Sequence, residues 1–236
     1  MISDRSRYAW RKIHSLTGIV PLGVYMCMHL FLNSFVLFGK GSFVDGVALL
    51  HRMPYLPVLE WLMIYIPISI HIVIGVAMIL EARYNPLRYG YPRNWWFWFQ
   101  RMSAVVLIAF IAWHVWSTRI QLMLGRVEVD GLYELLQDQF HNPLILAFYV
   151  LGITAVSLHL GNGLWGFLVS WGIVDTKKSQ RAFAGACIAL GALVLAGFVN
   201  VAYHYTSGKT EGGLVPIIEG EQAHPAAVIS TVEILD

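Results

Sequence analysis

Five stretches of this chain are each long and apolar enough to cross a lipid bilayer, and nothing else in it constrains the fold as strongly. They cover roughly 16–38, 61–80, 102–118, 144–174 and 182–205. A helix needs about 20 apolar residues to span the hydrocarbon core. Lipid offers no hydrogen-bond partners, so every backbone N–H and C=O must be satisfied within its own segment, and each span is predicted to be helical. Pro21 and Pro67 fall inside spans, where membrane helices tolerate proline better than soluble ones do. The predicted fold class is therefore all-α, an integral membrane bundle of five transmembrane helices. Composition agrees. Of 236 residues, 57% are hydrophobic and only 13% charged, about half the charged share of an ordinary soluble domain, and the mean hydropathy is +0.61. Residues 1–205 are predicted to form the transmembrane domain. Residues 206–236 are polar, rich in Gly and Glu and without helical periodicity, and are expected to form an external C-terminal tail.

Charge placement predicts orientation. Arg5, Arg7, Arg11, Lys12, Arg83, Arg88, Arg93, Arg101, Lys177, Lys178 and Arg181 fall on one side of the spans; Lys40, Arg52, Arg119, Arg126 and Lys209 fall on the other. The more basic side faces the cytoplasm, so the N-terminus is predicted cytoplasmic and the C-terminus external. The start, MISDRSRYAWRKIHS, is polar and basic for too long to suit a cleavable signal peptide. A net charge of +2 gives no reason to expect a nucleic-acid partner. Trp95, Trp96 and Trp98 cluster before the third span, as an interfacial aromatic belt would. Cys27 and Cys187 lie in apolar runs and no CxxCH occurs, which argues against covalently attached c-type heme; both cysteines read as small buried packing residues.

His29, His71, His114 and His159 each sit deep in a different one of the first four spans, with no Asp, Glu, Lys or Arg at the centre of those runs. An ionisable residue within a membrane is costly and marks a functional site by default. Four imidazoles without ion-pair partners are accounted for by two pairs of axial ligands holding two hemes, since neutral imidazole suits iron. With both axial positions filled, oxygen has no open site and electron transfer is favoured. Two ligands of one iron must share a depth. At about 1.5 Å per residue, His114 lies about 8 Å from Arg119, His159 about 27 Å from His141, and His29 and His71 each about 16 Å from an external flank. His114 and His159 therefore cannot share a heme, and depth alone leaves two pairings open. Gly75 and Gly152, near the ligands, offer room for a porphyrin. His14, His51, His141, His204 and His224 read as surface or interface residues, with His14 or His51 within reach of a propionate or a quinone.

The stretches RKIHSLTGIVPLGVYMCMHLFLN, LPVLEWLMIYIPISIHIVIGV, YPRNWWFWFQRMSAVVLIAFIAWHVWSTRI and VSLHLGNGLWGFLVSWGI resemble the cytochrome b membrane-anchor subunit of succinate dehydrogenase and fumarate reductase, in its five-helix, diheme, menaquinone-type form. The resemblance covers about residues 8–205. It implies that His29, His71, His114 and His159 are heme b ligands, His29 paired with His114 on the external side and His71 with His159 on the cytoplasmic side. It also implies two partners, a flavoprotein with FAD and an iron–sulfur subunit, to which this chain is the anchor in the bacterial cytoplasmic membrane, relaying electrons to menaquinone. No Cys cluster or nucleotide fingerprint occurs here, so FAD and the iron–sulfur clusters would belong to the partners. Arg83, Arg88, Arg93, Lys177 and Lys178 form the face expected to dock them. Some diheme relatives carry a Glu two residues before the fourth ligand; Ser157 stands there, and no such proton route is expected.

A quinone site is expected near the external heme, drawn from Asn33, Arg52, Glu60, Trp113 and Arg119. These residues flank the external ends of the first three spans; quinone carbonyls need hydrogen-bond donors, and reduction needs protons from water. The alternatives are a diheme subunit of a hydrogenase or formate dehydrogenase, told apart by its soluble partners, and a proton-coupled transporter without heme, told apart by its spectrum.

Overall fold

The computed structural model describes residues 4–82 and 87–207. Arg83 and the tail beyond Ser207 lie outside the described residues. Among the described residues all regular structure is helical. Five helices are long and apolar enough to span a membrane: α1 (Asp4–Phe38), α3 (Leu56–Glu81), α4 (Pro92–Met123), α6 (Pro143–Ser170) and α7 (Lys177–Thr206). Two short helices complete the set, α2 (Lys40–His51) between α1 and α3, and α5 (Leu132–His141) between α4 and α6. The helices extend past the apolar runs: α1 begins 12 residues before the expected Leu16, and α3 starts at Leu56 rather than Trp61. Polar residues continue a helix into the interface freely, so hydropathy marks the lipid-buried part and not the helix ends.

Start and stop signals are specific. The Asn142 side chain accepts from the Leu144 and Ile145 backbone N–H groups while Pro143 occupies the first helical position of α6, where its missing N–H costs nothing. Thr176 and Ser179 form a reciprocal capping box at α7. At the end of α6 the chain turns through Gly172, φ 70°, a conformation that favours glycine; the fourth span thus stops at Ser170 rather than Val174.

The spanning helices are not uniformly α. Gly18–Gly23 and Trp61–Tyr65 are π-helical. Pro21 lies within the first and Pro67 just beyond the second. A proline ring meets the carbonyl four residues back, and widening the turn relieves that contact. Trp116–Ile120 is π-helical without a proline. There side chains take the carbonyls: Thr118 Oγ1 donates to His114 O (2.6 Å), Gln121 Nε2 to Trp116 O (2.9 Å) and Gln139 Nε2 to Ser117 O (3.2 Å). Hydroxyl and amide donors of this kind compete with the backbone ladder.

α6 and α7 approach most closely where small residues face each other. A Cβ on Gly161 would stand 2.8 Å from Cys187 O, and one on Gly191 2.9 Å from Ser157 O. The pattern is small-xxx-small on both helices. Ser157 is buried here and bonds back to Ile153 O at 2.8 Å. Cys187 is buried as expected, whereas Cys27 is exposed and so faces outward rather than packing. At one end of the bundle, α5 turns Tyr133, Leu136, Gln139 and Phe140 inward, a helical stripe that joins Val36, Phe43, Tyr149, Val201 and Tyr205 in one core cluster. His51 and His141, read as surface or interface residues, end α2 and α5.

Candidate functional site: two pairs of histidines

The fold gathers the four span histidines into two pairs, each half-buried. His29 of α1 faces His114 of α4, ring centroids 5.8 Å apart and planes at 79°. His71 of α3 faces His159 of α6, centroids 6.1 Å apart and planes at 81°. The pairs lie at different levels. His71 is level with His14, 15 residues from His29 on the same helix as His14; Tyr149, level with His114, is 10 residues from His159. At about 1.5 Å per residue those separations are about 15–22 Å. His29 and His71, which counting from the span ends had put at similar depths, are thus at different ones, because the helices run past those ends.

Hydrogen bonds orient three of the four rings. His71 Nδ1 lies 2.9 Å from His14 O, and His159 Nδ1 3.1 Å from Gln100 O. A carbonyl only accepts, so these contacts form with the proton on Nδ1 and leave Nε2 with its lone pair; Gln100 Nε2, 3.3 Å from the same His159 Nδ1, donates to His159 O at 3.2 Å. His114 Nδ1 lies 3.2 Å from Tyr149 Oη, whose own proton goes to Gln139 Oε1 at 2.9 Å. That hydroxyl can only accept from His114, with the same consequence for Nε2. Gln139 is itself anchored on Ser117 O. At His29, Asn33 Nδ2 donates to the backbone O at 2.8 Å and stands 3.4 Å from the ring nitrogens. A ring held by its Nδ1–H keeps its Nε2 lone pair free and aimed, the arrangement a metal-ligating imidazole requires. With each nitrogen about 2 Å from a shared ion, two opposed rings have centroids about 6 Å apart, the separation of both pairs.

The glycines beside the ligands are filled by the protein itself. A Cβ on Gly152 would overlap the Phe110 ring, which stacks on His114. Gly75 makes room for His14. These two glycines therefore leave no porphyrin space, contrary to the expectation from sequence, because Phe110 and His14 occupy it.

Near the His29 pair, Glu60 and Arg119 form a half-buried ion pair, Arg119 Nη2 donating to Oε2 at 2.6 Å. The Tyr65 hydroxyl is within hydrogen-bonding reach of Arg119, and Tyr25 stands close to both charges and stacks on His29 with centroids 5.6 Å apart. Of the five residues named from sequence, Glu60 and Arg119 are brought together and Asn33 is brought to His29. Arg52 is exposed, and Trp113 is exposed against Phe148. Tyr25, Tyr65, Tyr149, Gln139, Gln100 and Ser103 were not singled out from the sequence. Tyr149 and Gln100 lie one helical face away from ligands on the antiparallel neighbour, a relation a single sequence does not display.

On the opposite end of the bundle Arg88, Arg93, Lys177 and Lys178 are exposed. Trp95, Trp98 and Phe99 interlock there edge to face.

The fold and the histidines define a multi-pass membrane protein with two pairs of imidazoles set between its spanning helices. No family model matches the chain. It is 35% identical over 180 residues to the succinate dehydrogenase cytochrome b558 subunit of Bacillus subtilis (strain 168), covering 76% of this chain and 88% of that one. The chain belongs to the family of succinate dehydrogenase cytochrome b subunits and is a multi-pass protein of the bacterial membrane.

Proposed function

We propose that this chain is the diheme anchor of a succinate:menaquinone oxidoreductase, with His29 and His114 holding one heme b and His71 and His159 the other. The observation that carries this reading is the pairing itself: two sets of opposed imidazoles, about 6 Å between centroids, at two levels. The donor set fits the group, because the Nδ1 atoms of His71, His114 and His159 are engaged and their Nε2 atoms face no competing partner among the hydrogen bonds of the described residues. Held between such a pair of imidazoles, a heme b would supply one-electron transfer.

The remaining roles follow from the chain's own groups. Tyr149 and Gln139 hold the His114 ring by its Nδ1–H, and Gln100 and Ser103 hold His159. Arg119, Glu60 and the hydroxyls of Tyr65 and Tyr25 form a polar cluster beside His29, suited to donate to a quinone carbonyl and to exchange protons with water; Asn33, Arg52 and Trp113 complete the proposed site. Positive-inside orientation puts this cluster outside and the Arg88, Arg93, Lys177 and Lys178 face inside, toward an iron–sulfur subunit and its FAD-bearing flavoprotein. On this reading residues 1–205 are the electron-carrying domain.

The test is the complex purified with its soluble partners. Succinate should reduce two b-type absorbances, and a menaquinone analogue should reoxidise both. Absence of b-type absorbance, or co-purification with hydrogenase or formate dehydrogenase subunits, would overturn the proposal.

A further inference from the structure

We propose that His14 is a positioning residue for His71, through a reciprocal clasp between α1 and α3. The inference rests on the reading of His71 as a heme ligand. The two helices run antiparallel and carry the same short motif, His14-x-x-x-Gly18 and His71-x-x-x-Gly75. Each element of the contact is duplicated. His14 Nδ1 donates to His71 O at 3.0 Å, and His71 Nδ1 donates to His14 O at 2.9 Å. The rings stack face to face, centroids 3.9 Å apart and planes within 15°. Each ring lies over the other helix's glycine: a Cβ on Gly18 would overlap the His71 ring, and one on Gly75 would stand 3.0 Å from His14 Cε1. His14 therefore fixes the plane of the His71 ring by stacking on its face, while the His159 ring stands at 81° to it with centroids 6.1 Å apart. Among the described residues the His29 pair carries no reciprocal histidine clasp; its supports are Tyr149 and Phe110 on His114 and Asn33 and Tyr25 on His29.

Through this clasp His14 determines the rotation of the His71 imidazole, and with it the relative orientation of the two axial rings. Ligand orientation by such neighbours tunes a metal centre without adding a ligand. The expected consequence is spectroscopic before it is catalytic.

The experiment uses the purified, oxidised complex, with heme content, the low-spin ferric EPR signals and potentiometric titration as readouts. His14→Ala should keep two hemes per chain, broaden the EPR signal of the His71/His159 heme and shift its midpoint potential, leaving the other heme unchanged. His14→Phe, which keeps the stacked ring, should lie closer to the native signal. Gly75→Ala, which presses only on His14, should perturb the same signal, and should add nothing in a His14→Ala background. If His14→Ala fails to assemble, the His14→Phe and Gly75→Ala variants carry the test. An unchanged signal in every variant would overturn the proposal. So would a Gly75→Ala effect that persists in full without His14, or loss of that heme in His14→Phe. Retention of both hemes in His71→Ala would instead sink the ligand assignment itself.

Discussion

At the scale of single residues, the chemistry depends on which nitrogen of each histidine holds its proton. Tyr149 settles this for His114, since its hydroxyl donates to Gln139 and must accept from His114 Nδ1. Tyr149→Phe leaves that Nδ1–H without its acceptor. Loss of such an orienting partner costs about 10–100-fold in metal affinity. The variant should lose the His29/His114 heme selectively on dilution in detergent, and heme retention unchanged from the parent would contradict this. The four ligand candidates were legible in sequence because four imidazoles, one in each of four apolar runs and none with an ion-pair partner, are a costly arrangement that marks function. Their supports were not. Tyr149, Gln100 and Ser103 are unremarkable in one dimension and acquire meaning only from the neighbouring helix. His14 looked interfacial, since it lies among Arg11, Lys12 and Ser15. Its signal was the His-x-x-x-Gly repeat shared with His71, legible but readable only once the two helices were known to cross there.

At the scale of elements, glycine spacing and end caps set the packing. Gly161→Ala would press a methyl against the Cys187 carbonyl, an overpacking penalty of about 1–3 kcal/mol. Gly166→Ala, on the same helix with nothing within 4 Å of its Cβ, should be neutral or stabilising by up to about 1 kcal/mol through helix propensity. Thermal unfolding in detergent compares the two, and equal midpoints would contradict the close-approach account. Between α2 and α5, Lys40 hydrogen-bonds Glu134 and holds its carboxyl below the ordinary glutamate range. A depressed folded-state pKa gives stability that is present above the unfolded value, near pH 4, and lost as pH falls through the folded one. Both side chains are about half exposed, so solvent screening limits the pair to at most about 1 kcal/mol. The stability difference between the parent and Lys40→Ala should be small at pH 7 and vanish well below pH 4; a pH-independent difference would contradict the assignment. None of the π-helical segments was foreseen: Pro21 and Pro67 were read only as tolerated, and Trp116–Ile120 widens because Gln121 and Gln139 claim carbonyls within it and Thr118 claims that of His114 just before it.

At the scale of the whole molecule, five helices place two histidine pairs about 15–22 Å apart along their axes. The five spans and their all-helical character could be read from hydropathy, because lipid permits so few alternatives. The pairing could not be read from depth: counts from the span ends put His29 and His71 alike, and helices longer than their apolar cores removed that degeneracy. The central claim is that each pair holds its own heme b. It is tested most directly by heme stoichiometry and reduced-minus-oxidised spectra of the purified complex carrying His29→Ala, His114→Ala, His71→Ala or His159→Ala. The account predicts two hemes per chain in the parent, one remaining spectrum shared by the His29 and His114 variants, and the other shared by the His71 and His159 variants. A spectrum shared instead by the His29 and His159 variants, or any of the four retaining both hemes, would contradict it.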